Sequence, residues 1–234
     1  MLIIGMLRIR NESRWIKRVI ESILPLCSRV HVFDDNSIDD TVAICRSIPG
    51  VLVTSSPWDT TDEARDKNAL LDQVDRHGGA DWLIHIDGDE VLTHSARLAD
   101  AIHTTYSACL SLPVLYLWDT EDQIRVDGVY GDFMRESAFR YRGERFKRTS
   151  AGGSFHCGNV PEEVRANRGY VKAPLLHFGY LHREDRIRKL AWYRSIDPDN
   201  KHEDNYRHIA QGDIPEIPAD AKMKHGGPLE LRPL

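Results

Sequence analysis

The stretch DWLIHIDGDE, residues 81–90, decides the fold. Residues 81–87 form a short apolar run that ends abruptly in acids, which is how a strand buried on both faces reads. Similar runs precede it at LIIGML (2–7), RVHVF (29–33) and VLVTS (51–55), and another follows at LSLPVLYLW (110–118). Between them lie helix-like segments. Trp15, Ile16, Val19, Ile20, Ile23 and Leu24 recur on a 3.6-residue period, with Asn11 or Ser13 as candidate caps and Pro25 at the stop. A shorter helix is expected from Asp39 to Ser47. Another should begin at Thr60 or Thr61 and run to the His77-Gly78-Gly79 stop, and a fourth is expected around 95–106. Strand and helix alternating at this spacing predict an α/β fold with a mostly parallel sheet, because parallel strands need helical crossovers.

The 234 residues are enough for one domain with appendages, at about 100–200 residues per domain. A net charge of -5 disfavours a global nucleic-acid or anionic-membrane binder. No apolar run approaches the length of a membrane-spanning helix. The apolar residues of MLIIGMLRIRNE precede its charges, the reverse of a secretory signal, so a buried first strand and a cytoplasmic protein are expected. Cys27, Cys45, Cys109 and Cys157 are scattered without a C-x-x-C pair, which fits a reduced compartment and argues against a structural zinc. The organisation expected is an α/β half over 1–120, a second half of the same domain over 121–196 with short strands and glycine-rich loops, and an extended arm or tail over 197–234. That last stretch is polar and holds five of the eleven prolines.

Open parallel sheets bind ligands at the carboxyl ends of their strands. Two acidic turns fall there: Asp34-Asp35-Asn36-Ser37 after the second strand and Asp87-Gly88-Asp89-Glu90 after the fourth. Asp87 and Asp89, two residues apart, project to one side and suit a hard divalent cation whose remaining positions go to phosphates and water. Gly88 permits a close approach. The alternative is a polar turn after a strand. Asp34 and Asp35 have the same alternative, and Asp39 reads as a cap for the next helix.

Four segments, in order, resemble family 2 glycosyltransferases of the GT-A fold: IRNES (9–13), VFDDNSIDDT (32–41), ARDKNAL (64–70) and WLIHIDGDE (82–90). The resemblance covers residues 1 to about 120 well and 150–195 loosely. It implies a Rossmann-like sheet that binds a nucleoside-diphosphate sugar, with UDP-sugars favoured as donors and a hydroxyl group as acceptor. Arg8, Asn11, Glu12, Asp34, Asp35, Arg65, Asn68, Asp87 and Gly88 would line the donor site. Asp89 and Asp87 would hold Mn²⁺ or Mg²⁺, which stabilises the charge on a departing diphosphate.

The lipopolysaccharide-core-type transferases of that family carry a "g-x-v-H-E" segment. Here it reads CGNVPEEV (157–164), with Pro161 where the family has His and Glu162 at the position of the Glu. Glu162 is thus the candidate general base of an inverting transfer. Its alternative is a helix start, with proline and acids at the positive end. His177 matches an isolated histidine of the family, as a third metal ligand or diphosphate contact, or as an interior group. Lys189 and Tyr193 read as packing or surface residues.

Residues 135–148 hold six basic and two acidic side chains with interleaved aromatics. They read as a contact for a phosphorylated or nucleic-acid acceptor, or as a solvated strand pair. Gly152-Gly153 reads as a flap over the donor or as a surface loop. Two other function classes compete. A nucleotidyltransferase needs a glycine-rich loop after the first strand, and residues 8–14 contain no glycine. The same gap disfavours a dinucleotide oxidoreductase. A non-catalytic binder of the same fold is the remaining alternative, kept open by Pro161 and opposed by the intact Asp87 and Asp89.

Overall fold

A computed structural model describes residues 1–148, 157–196 and 203–234. In chain order the elements are β1 (Ile3–Ile9), α1 (Ile16–Ile23), β2 (Arg29–Asp34), α2 (Thr41–Ser47), β3 (Val51–Ser55), α3 (Glu63–Arg76), β4 (Trp82–His85), β5 (Glu90–Leu92), α4 (Ser95–Thr104), β6 (Cys109–Trp118), β7 (Thr120–Arg125), β8 (Met134–Arg140), β9 (Arg168–Tyr170), β10 (Leu175–His177), α5 (Arg183–Ile196), α6 (Glu203–Tyr206) and β11 (Leu231–Pro233). They form two compact units: residues 1–112 with 134–174, and residues 113–133 with 175–234. The expected boundaries were 120 and 196; here the chain passes to the second unit after Leu112 and returns to the first at β8.

In the first unit the strands run in the order β3-β2-β1-β4-β8, parallel except for β8. Alternation along β1 sends its side chains to both faces. Ile4 and Met6 join a buried cluster with Leu70, Leu71 and Val74 of α3. Gly5 faces the other way, and a Cβ there would lie 3.0 Å from Ile23 of α1, so the glycine lets that helix approach the sheet. Helices therefore cover both faces, as the apolar strands require. The first half of β6 pairs with β9.

Two local expectations are corrected and a third holds. Neither Asn11 nor Ser13 caps α1, which begins after Trp15 with no side-chain cap. Asp62, not Thr60 or Thr61, caps α3 by accepting from the Arg65 N–H at 3.1 Å. Asp39 does act at the start of α2, accepting from the Thr41 N–H at 3.0 Å.

The C-terminal stretch, expected as an extended arm or tail, is tied into the second unit over its described residues 203–234. In the second unit β11 pairs with β7, and β7 with the second half of β6. Buried arginines hold the polar chain in place. Arg125 grips Asp127 with Nε at 2.7 Å and Nη2 at 2.8 Å, donates to the His208 carbonyl at 2.6 Å, and bonds Gln211. Arg186 grips Asp213 at 2.6 and 2.8 Å and Asp119 at 2.8 Å. Both guanidinium groups stack on Trp118. Bidentate charge-assisted bonds of this kind order a segment that its low apolar content would leave loose.

Among the described residues no helix is long and apolar enough to cross a membrane. The Gly152-Gly153 stretch lies outside the described residues.

Candidate functional site

The carboxyl ends of β1 and β2 lie level, with Ile9 opposite Asp34. Two residues beyond each strand lies an asparagine with positive φ, 56° at Asn11 and 60° at Asn36, a conformation that asparagine tolerates better than most residues. The two turns are stitched together. Asn11 N–H donates to Ser37 Oγ and Asn11 Oδ1 accepts from the Ile38 N–H, both at 2.8 Å. The Glu12 N–H donates to Thr41 Oγ1 at 2.8 Å. Asp34 accepts from the Ser37 N–H at 3.2 Å. Asn11 and Asp34 thus shape the turns around the strand ends.

Asp35 belongs to a buried charge network. Its Oδ2 accepts from Arg8 at 2.6 Å and from Thr61 at 3.1 Å. Arg8 also bonds Asp66 at 2.9 Å, and Asp66 takes two bonds from Arg65 at 3.0 and 2.8 Å. The Arg65 guanidinium lies 4.1 Å from the ring centre of Trp58. Asn68 has different partners: its amide accepts from the Phe146 N–H at 2.9 Å and donates to the Phe146 carbonyl at 3.0 Å, fixing the chain beyond β8.

The 87–90 loop follows β4 and lies against the end of β1. A Cβ on Gly88 would meet Glu12 at 2.8 Å and Ile9 at 2.9 Å, so those side chains make the close approach that the glycine permits. Asp89 and Glu90 are buried, whereas the Asp87 side chain is 43% exposed. The Asp87 N–H donates to Glu90 Oε2 at 3.0 Å. Arg135 of β8 bonds Asp87 and also donates to Glu90 at 2.6 Å. Asn159 donates to the other oxygen of Asp87 at 3.2 Å. Partial burial pushes the Asp87 carboxyl up, but Arg135, then Lys67 and His85, outweigh it and hold it well below the usual range. Burial pushes Glu90 up, reinforced by Asp87 and Asp89 and opposed by Arg135.

Asn159 precedes Glu162 by three residues and is itself anchored. Lys67, buried in α3, donates to the Cys157 carbonyl at 2.5 Å and to Asn159 Oδ1 at 3.3 Å. His85 Nδ1 bonds the Asn159 carbonyl at 2.8 Å. Glu162 opens a single 3-10 turn, Glu162–Val164, behind Pro161 and is exposed. Glu163 pairs with Lys147. A one-turn start of this kind is the geometry of the helix-start alternative, though too short for much of a dipole.

His177 lies in the second unit, buried against the rings of Tyr116 and Tyr180, with centroids 4.9 and 4.5 Å away. Lys189 sits over Tyr180 and Tyr193 stacks on Tyr206, as expected of packing residues. The basic segment 135–148 gains no support as a nucleic-acid contact, because five of its six basic side chains are engaged within the fold. Besides Arg135, Arg140 bonds the Thr105 and Ser107 carbonyls, Arg145 pairs with Asp72 and Asp75, Lys147 with Glu163, and Arg148 with Asp62.

Among the described residues no three His, Cys, Asp or Glu side chains gather to hold a metal ion. A Mg²⁺- or Mn²⁺-type cation does not need three, since one or two carboxylates plus phosphate oxygens suffice. Asp87 and Asp89 fit that donor set in kind, as hard oxygen ligands, with the Arg135 guanidinium of β8 against Asp87. Asp66, Arg135 and Asn159 contact the candidate residues and Lys67 holds Asn159, and no sequence motif names them. Two adjacent charges inside the apolar spacing of α3 were a legible sign of burial for Asp66 and Lys67. Arg135 and Asn159 reach the loop from 48 and 72 residues away, and no local pattern announces that.

A mostly parallel sheet with acidic turns at its strand ends and a D-x-D loop beside β1 is the arrangement of a GT-A fold. Staphylococcus aureus TarS shares that fold at a TM-score of 0.53 and 13% identity, over 90% of this chain and 43% of the TarS chain. Uncharacterized glycosyltransferases of Rickettsia conorii and Rickettsia prowazekii are each 32% identical over 105 residues, 42% of this chain. The match spans about a third of the length of these curated relatives. Residues 8–171 match the family described as Glycosyl transferase family 2, and the chain belongs to that family.

Proposed function

We propose that the chain transfers a glycosyl unit from a nucleoside-diphosphate sugar to an acceptor hydroxyl, with inversion and in the presence of a divalent cation. The observation that carries this reading is the 87–90 loop. It sets Asp87 and Asp89 at the carboxyl end of β4 and is tied through Asn159 to the segment bearing Glu162.

In this reading Arg8, Asp35, Asp66 and Arg65 form a pre-ordered wall beside the nucleoside, with Asn11, Glu12 and Asp34 shaping its floor. Asp89, with Asp87, holds the cation, and Gly88 keeps the loop close to β1. When bound, the cation stabilises the charge that develops on the departing diphosphate. Glu162 accepts the proton of the acceptor hydroxyl as that oxygen attacks the anomeric carbon, and its exposure leaves it open to solvent or acceptor. The four cysteines are unpaired, which supports a reducing, cytoplasmic setting. His177 and Asn68 are left out of the reacting set, because each has an evident role in packing or loop fixation.

The test is a donor panel. UDP-, GDP-, dTDP- and CMP-sugars are incubated with the protein with and without Mn²⁺, and nucleotide release is measured. Cation-dependent release from one donor, with UDP-sugars tried first, is expected. No release from any donor, with nucleotide binding retained, would favour the non-catalytic binder.

A further inference from the structure

We infer that Arg135 is a donor-site residue: an exchangeable counter-ion that occupies Asp87 until cation and diphosphate arrive, and then lends its charge to the diphosphate. This rests on the site proposed above. Arg135 comes from β8, the antiparallel neighbour of β4, so its backbone is fixed by the sheet while its long side chain reaches the loop. One nitrogen, Nη1, contacts both Asp87 and Glu90. The two contacts differ in setting. Glu90 is fully buried and also holds the Asp87 N–H, so it is a fixed anchor. Asp87 is 43% exposed and stays tethered through its other oxygen by Asn159.

Breaking the contact at Asp87 therefore leaves the guanidinium paired to Glu90 and the carboxylate in position. The oxygen that Arg135 covers is the one not taken by Asn159, and it is the oxygen free to turn to a cation. A guanidinium and a divalent cation compete for it by simple electrostatics. Once displaced, the guanidinium lies beside the bound cation and suits phosphate oxygens. Arg135 thus makes cation binding weak without a nucleoside diphosphate and strong with one, a reciprocal coupling between the two ligands.

The test is binding, not turnover. Mn²⁺ alone is titrated into wild type and Arg135→Gln, followed by the electron paramagnetic resonance of free Mn²⁺. UDP and GDP are then titrated at saturating Mn²⁺. Arg135→Gln should bind Mn²⁺ alone about tenfold more tightly and the nucleoside diphosphate about tenfold more weakly, by the usual size of such couplings. Because Arg135→Gln strips a buried carboxylate of its partner, the double variant Glu90→Gln with Arg135→Gln is measured beside it, with the same two shifts expected. Arg135→Lys, which keeps a charge, should lie between wild type and Arg135→Gln. Unchanged or weaker Mn²⁺ binding in both folded glutamine variants would overturn the inference and leave the donor site standing. Failure of wild type to bind Mn²⁺ even with UDP or GDP would instead overturn the site itself.

Discussion

Asn159 donates its side-chain amide to Asp87 at 3.2 Å, so the segment that carries Glu162 hangs on the loop that carries the two aspartates. The amide is committed at both ends, since its oxygen accepts from the buried Lys67 at 3.3 Å. Its backbone carbonyl meets His85 of β4 at 2.8 Å. One residue thereby connects α3, β4 and the 157–164 segment.

Asn159→Ala should loosen that connection. Lys67 and Asp87 each lose a partner, and unmaking one such buried bond costs about 1–3 kcal/mol. The melting temperature should fall, and on the proposed reading, in which the bond aligns Glu162 with the donor, kcat should fall more than nucleotide affinity. Asn159→Asp keeps the contact to Lys67 but places a carboxylate against Asp87, and should be worse for cation binding than for stability. Thermal unfolding and Mn²⁺ titration of the two variants separate these effects. Equal kcat in wild type and Asn159→Ala would detach the segment from the chemistry.

Asp89→Ala should reduce nucleotide-sugar turnover by about 10²–10⁴-fold, the scale of several kcal/mol of charge stabilisation by a cation. EDTA should stop the wild-type enzyme and change the residual rate of the variant little. The fold should persist, because one of three neighbouring acids is removed. Full turnover of metal-stripped Asp89→Ala would refute the assignment.

The parallel half of the fold was legible because its signals are local. Apolar runs, a helical stripe at Trp15–Leu24 and strand-end acids all lie within a few residues of what they specify. The C-terminal stretch was not legible as structure, because Arg125–Gln211 and Arg186–Asp213 join residues far apart in sequence and replace apolar burial with paired charge. The same holds in the site. Asp87 and Asp89 announce themselves, whereas Arg135 looked like one of six exposed cations until β8 was seen beside β4. Asn68 shows the same limit: a helix-borne amide serves a backbone 78 residues on as readily as a ligand.

Acidification below about pH 6.5 should destabilise the first unit through its buried histidines. His31 is lowered to about 4 and His85 to about 3, in both cases chiefly by burial. In the unfolded chain each titrates near its usual value of about 6.5. Between these limits the unfolded state binds protons that the native state does not, so stability rises with pH and is lost as pH falls below about 6.5. Each histidine contributes at most about 1.4 kcal/mol per pH unit in that window. Glu90, raised in the fold, works in the opposite sense above its unfolded pKa. Thermal unfolding from pH 7 to pH 4 should therefore show a falling melting temperature, and His85→Gln should flatten the curve. A His85→Gln profile parallel to wild type would show that this ring does not govern the slope.

Glu162 and Glu163 stand side by side in the same 3-10 turn, yet their surroundings differ, and that difference makes them a paired test of the base. Glu163 is committed to Lys147, whose bond holds its carboxyl below the usual range. A carboxylate so engaged is a poor proton acceptor. Glu162→Gln keeps size and most hydrogen bonding but cannot take the acceptor proton, so transfer should fall by about 10²–10⁴-fold. Donor and cation affinities should stay near wild type, since neither draws on this group. Glu163→Gln should break the surface pair with Lys147 and leave transfer within about twofold, as exposed pairs contribute little. Single-turnover transfer, read beside nucleotide affinity, distinguishes a lost base from a displaced donor. If both substitutions are equally mild, the turn is only structural and the base lies elsewhere.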